Sequence, residues 1–486
     1  MKFFVEADFA AAALLLLLPS ALCYPQAGDR RSGLPVVDLG YQVHQASDYN
    51  ETSQLYNFSS IRYAQPPLWY IAAGEFLGAI ATNTTSTFNF TAAQDDEEAY
   101  KALFLERYVG GWKRSSGNPS GLIKASNNSI IFVAMNYRLG ALGFMAGNTL
   151  KESGGVPNAA FYDQRLAIEW VAKYIHLFGG DKNQITIMGE SAGGGSVEHQ
   201  ITAFGGQRPV SFQRAIPQSP AWEPKPVTDG QDSVAAAYLN LLNVSTFAEA
   251  RVLNSSTVIL AQTIQIATSP YGRFYYGPAV DGPGGFAPKV PWQLFAEGNF
   301  AHHVTVMNGH NTNEAPFFTS PAAVLTDDVA SSLEQSFPFL SNDTINYIVD
   351  DLYPPIYDGT YPWTNSLTRA EAVIADTVFT CNNHYINKAF GNKTWAYEFQ
   401  VPPAFHGFDI AYTFWDGQTN GTGFSPYVAS VLQGYIVNFP HRINRISNTL
   451  NTAAITVISN TLNTAIPLFS QRDDRWRCRD CKSVHR

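Results

Sequence analysis

Three side-chain types in this 486-residue chain, a hydroxyl, a carboxylate and an imidazole, occupy positions from which they could carry out nucleophilic acyl transfer. Ser191 lies in Gly189-Glu190-Ser191-Ala192-Gly193, Glu314 in Gly309-His310-Asn311-Thr312-Asn313-Glu314, and His406 in Pro402-Pro403-Ala404-Phe405-His406-Gly407. A serine hydroxyl is a weak nucleophile at neutral pH. It needs a histidine to take its proton, and a carboxylate to fix the histidine's tautomer and steady the imidazolium. Such a set attacks a carbonyl carbon and passes through a covalent acyl intermediate.

These residues require elements that can hold them. The segment from Gln184 to Val197 reads as a short apolar strand, a tight turn and an Ala/Gly-rich helix. A turn of that kind lifts Ser191 clear of the backbone, and glycine at Gly189 and Gly193 removes Cβ atoms that would collide there. Upstream, Ser129–Met135 is an apolar, β-branched run expected to form a buried strand. From Phe161 to Phe178, apolar residues recur at helical steps before Gly179-Gly180 ends the pattern. Strands are expected again at Phe212–Ser219, with Pro217 weakening its end, at Val304–Asn308 up to Gly309, and at Thr394–Val401. Residues 230–268 and 322–350 read as helical. Alternation of strand and helix predicts an α/β fold with a central, mostly parallel, twisted sheet and helices on both faces. Open sheets of this type place ligands at the carboxyl ends of their strands. Glu314 and His406 follow strands in that way, and the chain order nucleophile, acid, base is the one the α/β-hydrolase plan uses.

Other residues compete for these roles. Among the ten histidines, His176 falls in a helical stretch that reads as packing, His384 is helical, and His310 is too close to Glu314 to leave the acid a distinct role. Asp281 and Asp409 are the reserve acids. Asp163 lies early in a helix, where a carboxylate favours the dipole, and reads as structural.

Asn136-Tyr137-Arg138-Leu139-Gly140, Tyr162-Asp163-Gln164-Arg165-Leu166-Ala167, Phe178-Gly179-Gly180-Asp181, the elbow itself and Phe212-Gln213-Arg214-Ala215-Ile216 together resemble the type-B carboxylesterase/lipase family. The resemblance continues through Asn313-Glu314 and His406-Gly407 and fades beyond about residue 440. It implies an α/β-hydrolase with Ser191, Glu314 and His406 as a triad, glutamate being that family's usual acid. It also implies an oxyanion hole made by the backbone N–H of Ala192 and those of a glycine-rich loop, for which Gly110 or Gly111 stand here. The sequence departs from the family before that loop, where an expected strand is missing. Two readings follow: a secreted serine carboxylic-ester hydrolase, or a catalytically silent relative that acts as a binding or adhesion protein.

Composition bounds the rest. With 45% apolar and 13% aromatic residues the chain can bury a large core, and a net charge of −9 without a basic stretch argues against nucleic acid as partner. A small-molecule ester or lipid substrate is expected, with no metal and no organic cofactor. Residues 1–23 resemble an export signal, with Lys2, the apolar run Phe9–Leu18, Pro19 and small Ala21 and Cys23 before Tyr24. No transmembrane segment is expected, because no later apolar run reaches about 18 residues. Glycosylation sequons at Asn50, Asn57, Asn83, Asn89, Asn127, Asn243, Asn254, Asn342, Asn392 and Asn420 fit a secreted, extracellular glycoprotein. Removal of the signal would leave Cys381, Cys478 and Cys481, enough for at most one internal bridge. Cys478-Arg-Asp-Cys481 lacks a second ligand pair at metal spacing. The hydrolase domain is expected over 24–440. In the atypical stretch 441–486, Ile446–Ala453 repeats as Ile458–Ala465 and weak order is expected.

Overall fold

The computed structural model describes residues 33–51, 55–64, 118–222, 225, 229–270, 273–319, 329–418 and 423–439, with the backbone of two strands beyond them. At its centre four strands, β5 (Thr186–Glu190), β6 (Arg214–Gln218), β7 (Thr305–Asn311) and β8 (Trp395–Phe399), lie in that order and run parallel throughout. Ahead of them in the chain are two small antiparallel pairs, β1 (Val36–Asp38) with β2 (Val43–Gln45), and β3 (Asp48–Asn50) with β4 (Leu55–Asn57). In the C-terminal stretch β9 (Ile455–Ile458) pairs antiparallel with β10 (Ala465–Leu468).

The sheet is covered on both faces, and alternation along its strands assigns the residues. In β6, Ala215 packs with Ile168, Val197, Ile201 and Val306 on one face, while its neighbour Ile216 packs with Met307, Tyr397, Leu432 and Ile436 on the other. The first face is closed by two helices, α1 (Ala159–Tyr174) and α2 (Ala192–Ile201). The second is closed by helices Phe408–Thr413 and Pro426–Asn438. This is the parallel sheet covered on both faces expected from the pattern of apolar runs.

Several local expectations need correction. Ser129–Met135 makes no ladder with any described strand, and Ile131 and Val133 are 46% and 41% exposed. An apolar β-branched run matches the composition of a buried strand, but only a paired neighbour makes it one. The strand at Val304 does not stop at Gly309; it runs to Asn311. A Cβ at 309 would sit 2.3 Å from the Tyr397 ring, so glycine here makes room for a cross-strand aromatic rather than ending the strand. His176 is exposed in a short 3-10 turn, Ile175–Phe178, rather than packed. Asp163 is structural, but through a two-pronged pair with Arg138 (Nε to Oδ2 2.7 Å, Nη2 to Oδ1 2.8 Å) rather than through the helix dipole. Cys381, the one cysteine among the described residues, is buried and disulfide-bonded.

Candidate active site

Ser191 sits between β5 and α2 with φ +58° and ψ −120°, a backbone region that residues with a Cβ rarely occupy. Its backbone groups are tied to the last residue of β6 and to the segment that follows it. Its N–H donates to the Gln218 carbonyl at 3.0 Å, and its carbonyl accepts from the Ala221 N–H at 3.0 Å. The glycine requirement differs in part from the sequence expectation. A Cβ on Gly189 would lie 2.5 Å from the Gly193 backbone, so Gly189 is needed. A Cβ on Gly193 would meet nothing within 4 Å, whereas one on Gly194 would lie 2.5 Å from the Gln218 carbonyl oxygen. The second obligatory glycine of this turn is therefore Gly194. It lets α2 approach the end of β6.

Glu314 and His406 meet on the loops after β7 and β8. His406 Nδ1 is 2.5 Å from Glu314 Oε2. The other carboxylate oxygen of Glu314 accepts from Ser219 Oγ at 2.8 Å and from the Asn311 N–H at 2.6 Å. Burial pushes the Glu314 carboxyl up, but His406, with His310 and the Asn311 N–H, outweighs it and holds the group below its ordinary value. Asn311 Nδ2 donates to Ser219 Oγ at 3.2 Å, which leaves the Ser219 hydroxyl hydrogen to point at Glu314. The His406 ring is flanked by Phe379, with centroids 4.5 Å apart, and by Phe318 at 5.1 Å. Its Nε2 lies 3.2 Å from Glu190 Oε1, one residue before Ser191, which sets the histidine beside the elbow.

The reserve acids occupy other places. Asp409 is fully buried behind Glu314, accepting from Tyr397 Oη at 2.7 Å and Asn311 Nδ2 at 3.1 Å. Asp281 braces a loop through the N–H groups of Phe286 and Ala287. His310 is buried with its Nδ1 3.0 Å from the Asn311 carbonyl oxygen, and His384 lies on the helix Cys381–Ala389. Ala192 opens α2, so its N–H has no carbonyl four residues back within the helix. Gly110 and Gly111 lie outside the described residues. Residue types alone did not single out Ser219, Asn311, Phe318, Phe379 or the contact of Glu190 with His406. Glu190 was the most legible of these, since it stands inside the elbow pentapeptide.

A parallel sheet with a serine on a strained strand-to-helix turn, and an acid and a histidine meeting on later strand loops, is the arrangement of an α/β-hydrolase. The carboxylesterase family model matches residues 106–444, and the chain belongs to that family. It is 34% identical to carboxylesterase patB of Penicillium expansum, over 84% of this chain and 87% of that protein. It is 30% identical to a secreted lipase of Arthroderma benhamiae, over 60% of this chain and 55% of that one. Among solved structures, Aspergillus niger EstA superposes with a TM-score of 0.57 at 27% identity, covering 69% of each chain. The protein is a carboxylic-ester hydrolase of α/β-hydrolase fold. Among the described residues no helix is long and apolar enough to cross a membrane.

Proposed function

We propose that the protein is an exported serine esterase working through an acyl-enzyme on Ser191. The observation that carries this reading is the Glu314–His406 contact at 2.5 Å beside the elbow, with the second oxygen of Glu314 already held by Ser219 and Asn311. A carboxylate so fixed leaves Nδ1 of His406 as the protonated nitrogen and Nε2 as the base. His406 takes the Ser191 proton as the hydroxyl oxygen attacks the ester carbonyl. The same histidine then protonates the leaving alcohol, and water repeats the sequence to release the acid. The Ala192 N–H, with Gly110 or Gly111 from the loop the family resemblance points to, receives the negative oxygen. Loss of one such donor typically lowers kcat by ~10²–10³. The substrate class is a small-molecule ester or lipid, in keeping with relatives named carboxylesterase and secreted lipase.

Residues 1–23 act as the export signal and 24–440 form the hydrolase unit in this reading. The seven sequon asparagines among the described residues, Asn50, Asn57, Asn127, Asn243, Asn254, Asn342 and Asn392, are all exposed, which supports passage through a glycosylating compartment. One observation favours a silent binding protein instead. His406 Nε2 lies 3.2 Å from Glu190, and an imidazolium held there could not act as base. A fluorophosphonate probe separates the two readings. Labelling of the folded protein that disappears in Ser191→Ala is expected, and a folded protein that takes no label would overturn the esterase reading.

A further inference from the structure

Two turns along α2 from the nucleophile lies a carboxyl group for which the acyl-transfer steps have no use. Glu198 is 1% exposed, and its Oε2 accepts from Trp222 Nε1 at 2.9 Å. Its other oxygen has no hydrogen-bond partner among the described residues. An unpaired carboxyl oxygen in a core is costly, and a neutral hydrocarbon of similar size would avoid that cost. The partner's location suggests why a carboxyl is there.

Residues 191, 194 and 198 lie on one face of α2, seven residues being close to two turns. That face packs on the segment after β6: Gly194 abuts the Gln218 carbonyl oxygen and Pro220 Cα, and the Ala221 N–H donates to the Ser191 carbonyl. Trp222 is the next residue. Its indole is buried with Phe161 and Phe286 in the cluster against which Ala192 packs, and His199 meets its ring edge-on at 5.6 Å between centroids. The 218–222 segment therefore touches the elbow at Ser191 from one end and is tied down at Trp222 from the other.

We infer that Glu198 is a positioning residue for acyl transfer: by holding the Trp222 indole it fixes the segment that sets the backbone of Ser191 and the N–H of Ala192. Burial pushes the Glu198 carboxyl up to about 8, so near neutral pH it accepts the indole N–H as an uncharged acid. The inference rests on the acyl-enzyme reading above and adds a residue to it. Wild type, Glu198→Gln, Glu198→Leu and Trp222→Phe are compared on p-nitrophenyl butyrate, with turnover expressed per fluorophosphonate-titrated site so that misfolded protein is not counted.

Glu198→Gln keeps an acceptor for the indole and is expected to stay within about threefold of wild type. Glu198→Leu and Trp222→Phe lose the hydrogen bond and should each lower per-site kcat about tenfold, the equivalent of one such bond, with KM changed less than about twofold. A merely structural role would lower the melting temperature and the titratable fraction but leave per-site turnover intact. That result in both Glu198→Leu and Trp222→Phe overturns the inference. A folded wild type that neither labels nor hydrolyses the ester instead overturns the acyl-enzyme reading, and this one with it.

Discussion

At the scale of single residues, the site depends on which atoms are left to act once hydrogen bonds are assigned. Glu314 has both oxygens committed, one to His406 and one to Ser219 and Asn311. Glu314→Gln keeps the shape but allows the amide N–H to face Nδ1, which favours the wrong tautomer. Its kcat is expected to fall about 10³-fold or more with thermal stability nearly preserved, as measured on p-nitrophenyl butyrate. Glu198 and His199 predict an unusual stability profile. Burial raises Glu198 from 4.5 to about 8 and lowers His199 from 6.5 to about 4. Between 4.5 and 8 the folded state retains a Glu198 proton that the unfolded chain gives up, so this group makes stability fall as pH rises. Between 4 and 6.5 the unfolded chain binds a His199 proton that the folded state refuses, so this group makes stability rise. The two nearly cancel up to pH 6.5, and above it Glu198 acts alone, removing about 2 kcal/mol by pH 8 at about 1.4 kcal/mol per unit. Urea unfolding of wild type and Glu198→Gln at pH 6.5 and 8 should show the decline in the first and not in the second. The placement of Ser191, Glu314 and His406 beyond the ends of β5, β7 and β8 was legible because each follows an apolar run within a short loop. Ser219 and Asn311 were not, since nothing in a serine or an asparagine tells which carboxylate it will face.

Among the elements, the strands β5 to β8 and the helix before the elbow were readable from apolar periodicity, because burial on two faces leaves continuous apolar runs and an amphipathic helix leaves three- and four-residue steps. Ser129–Met135 has the same composition without a described partner, and composition does not encode pairing. Glycine was the least readable residue. Sequence placed the steric demand at Gly189 and Gly193, whereas the packing places it at Gly189 and Gly194, where α2 meets β6. Gly194→Ala and Gly309→Ala are each expected to lose about 1–3 kcal/mol from forced displacement of the Gln218 carbonyl and the Tyr397 ring respectively. Gly193→Ala, on open space in a helix, should be neutral or gain up to about 1 kcal/mol. Differential scanning calorimetry of the three variants checks the ranking, and equal losses at 193 and 194 would contradict this account.

For the molecule as a whole, a net charge of −9, exposed sequons among the described residues and a leading apolar run are what support the export proposed above. Expression in a eukaryotic secretory host should yield protein in the medium that begins at Tyr24 and collapses to a lower mass on treatment with a peptide N-glycanase. Intracellular, unmodified protein retaining Met1 would contradict that. The backbone of Ser191 bears on the whole molecule in another way. Its left-handed torsion is one that glycine adopts readily, at a saving of about 1–3 kcal/mol. Laboratory evolution that rewarded heat resistance alone would thus be drawn toward Ser191→Gly, trading turnover for durability at that one codon.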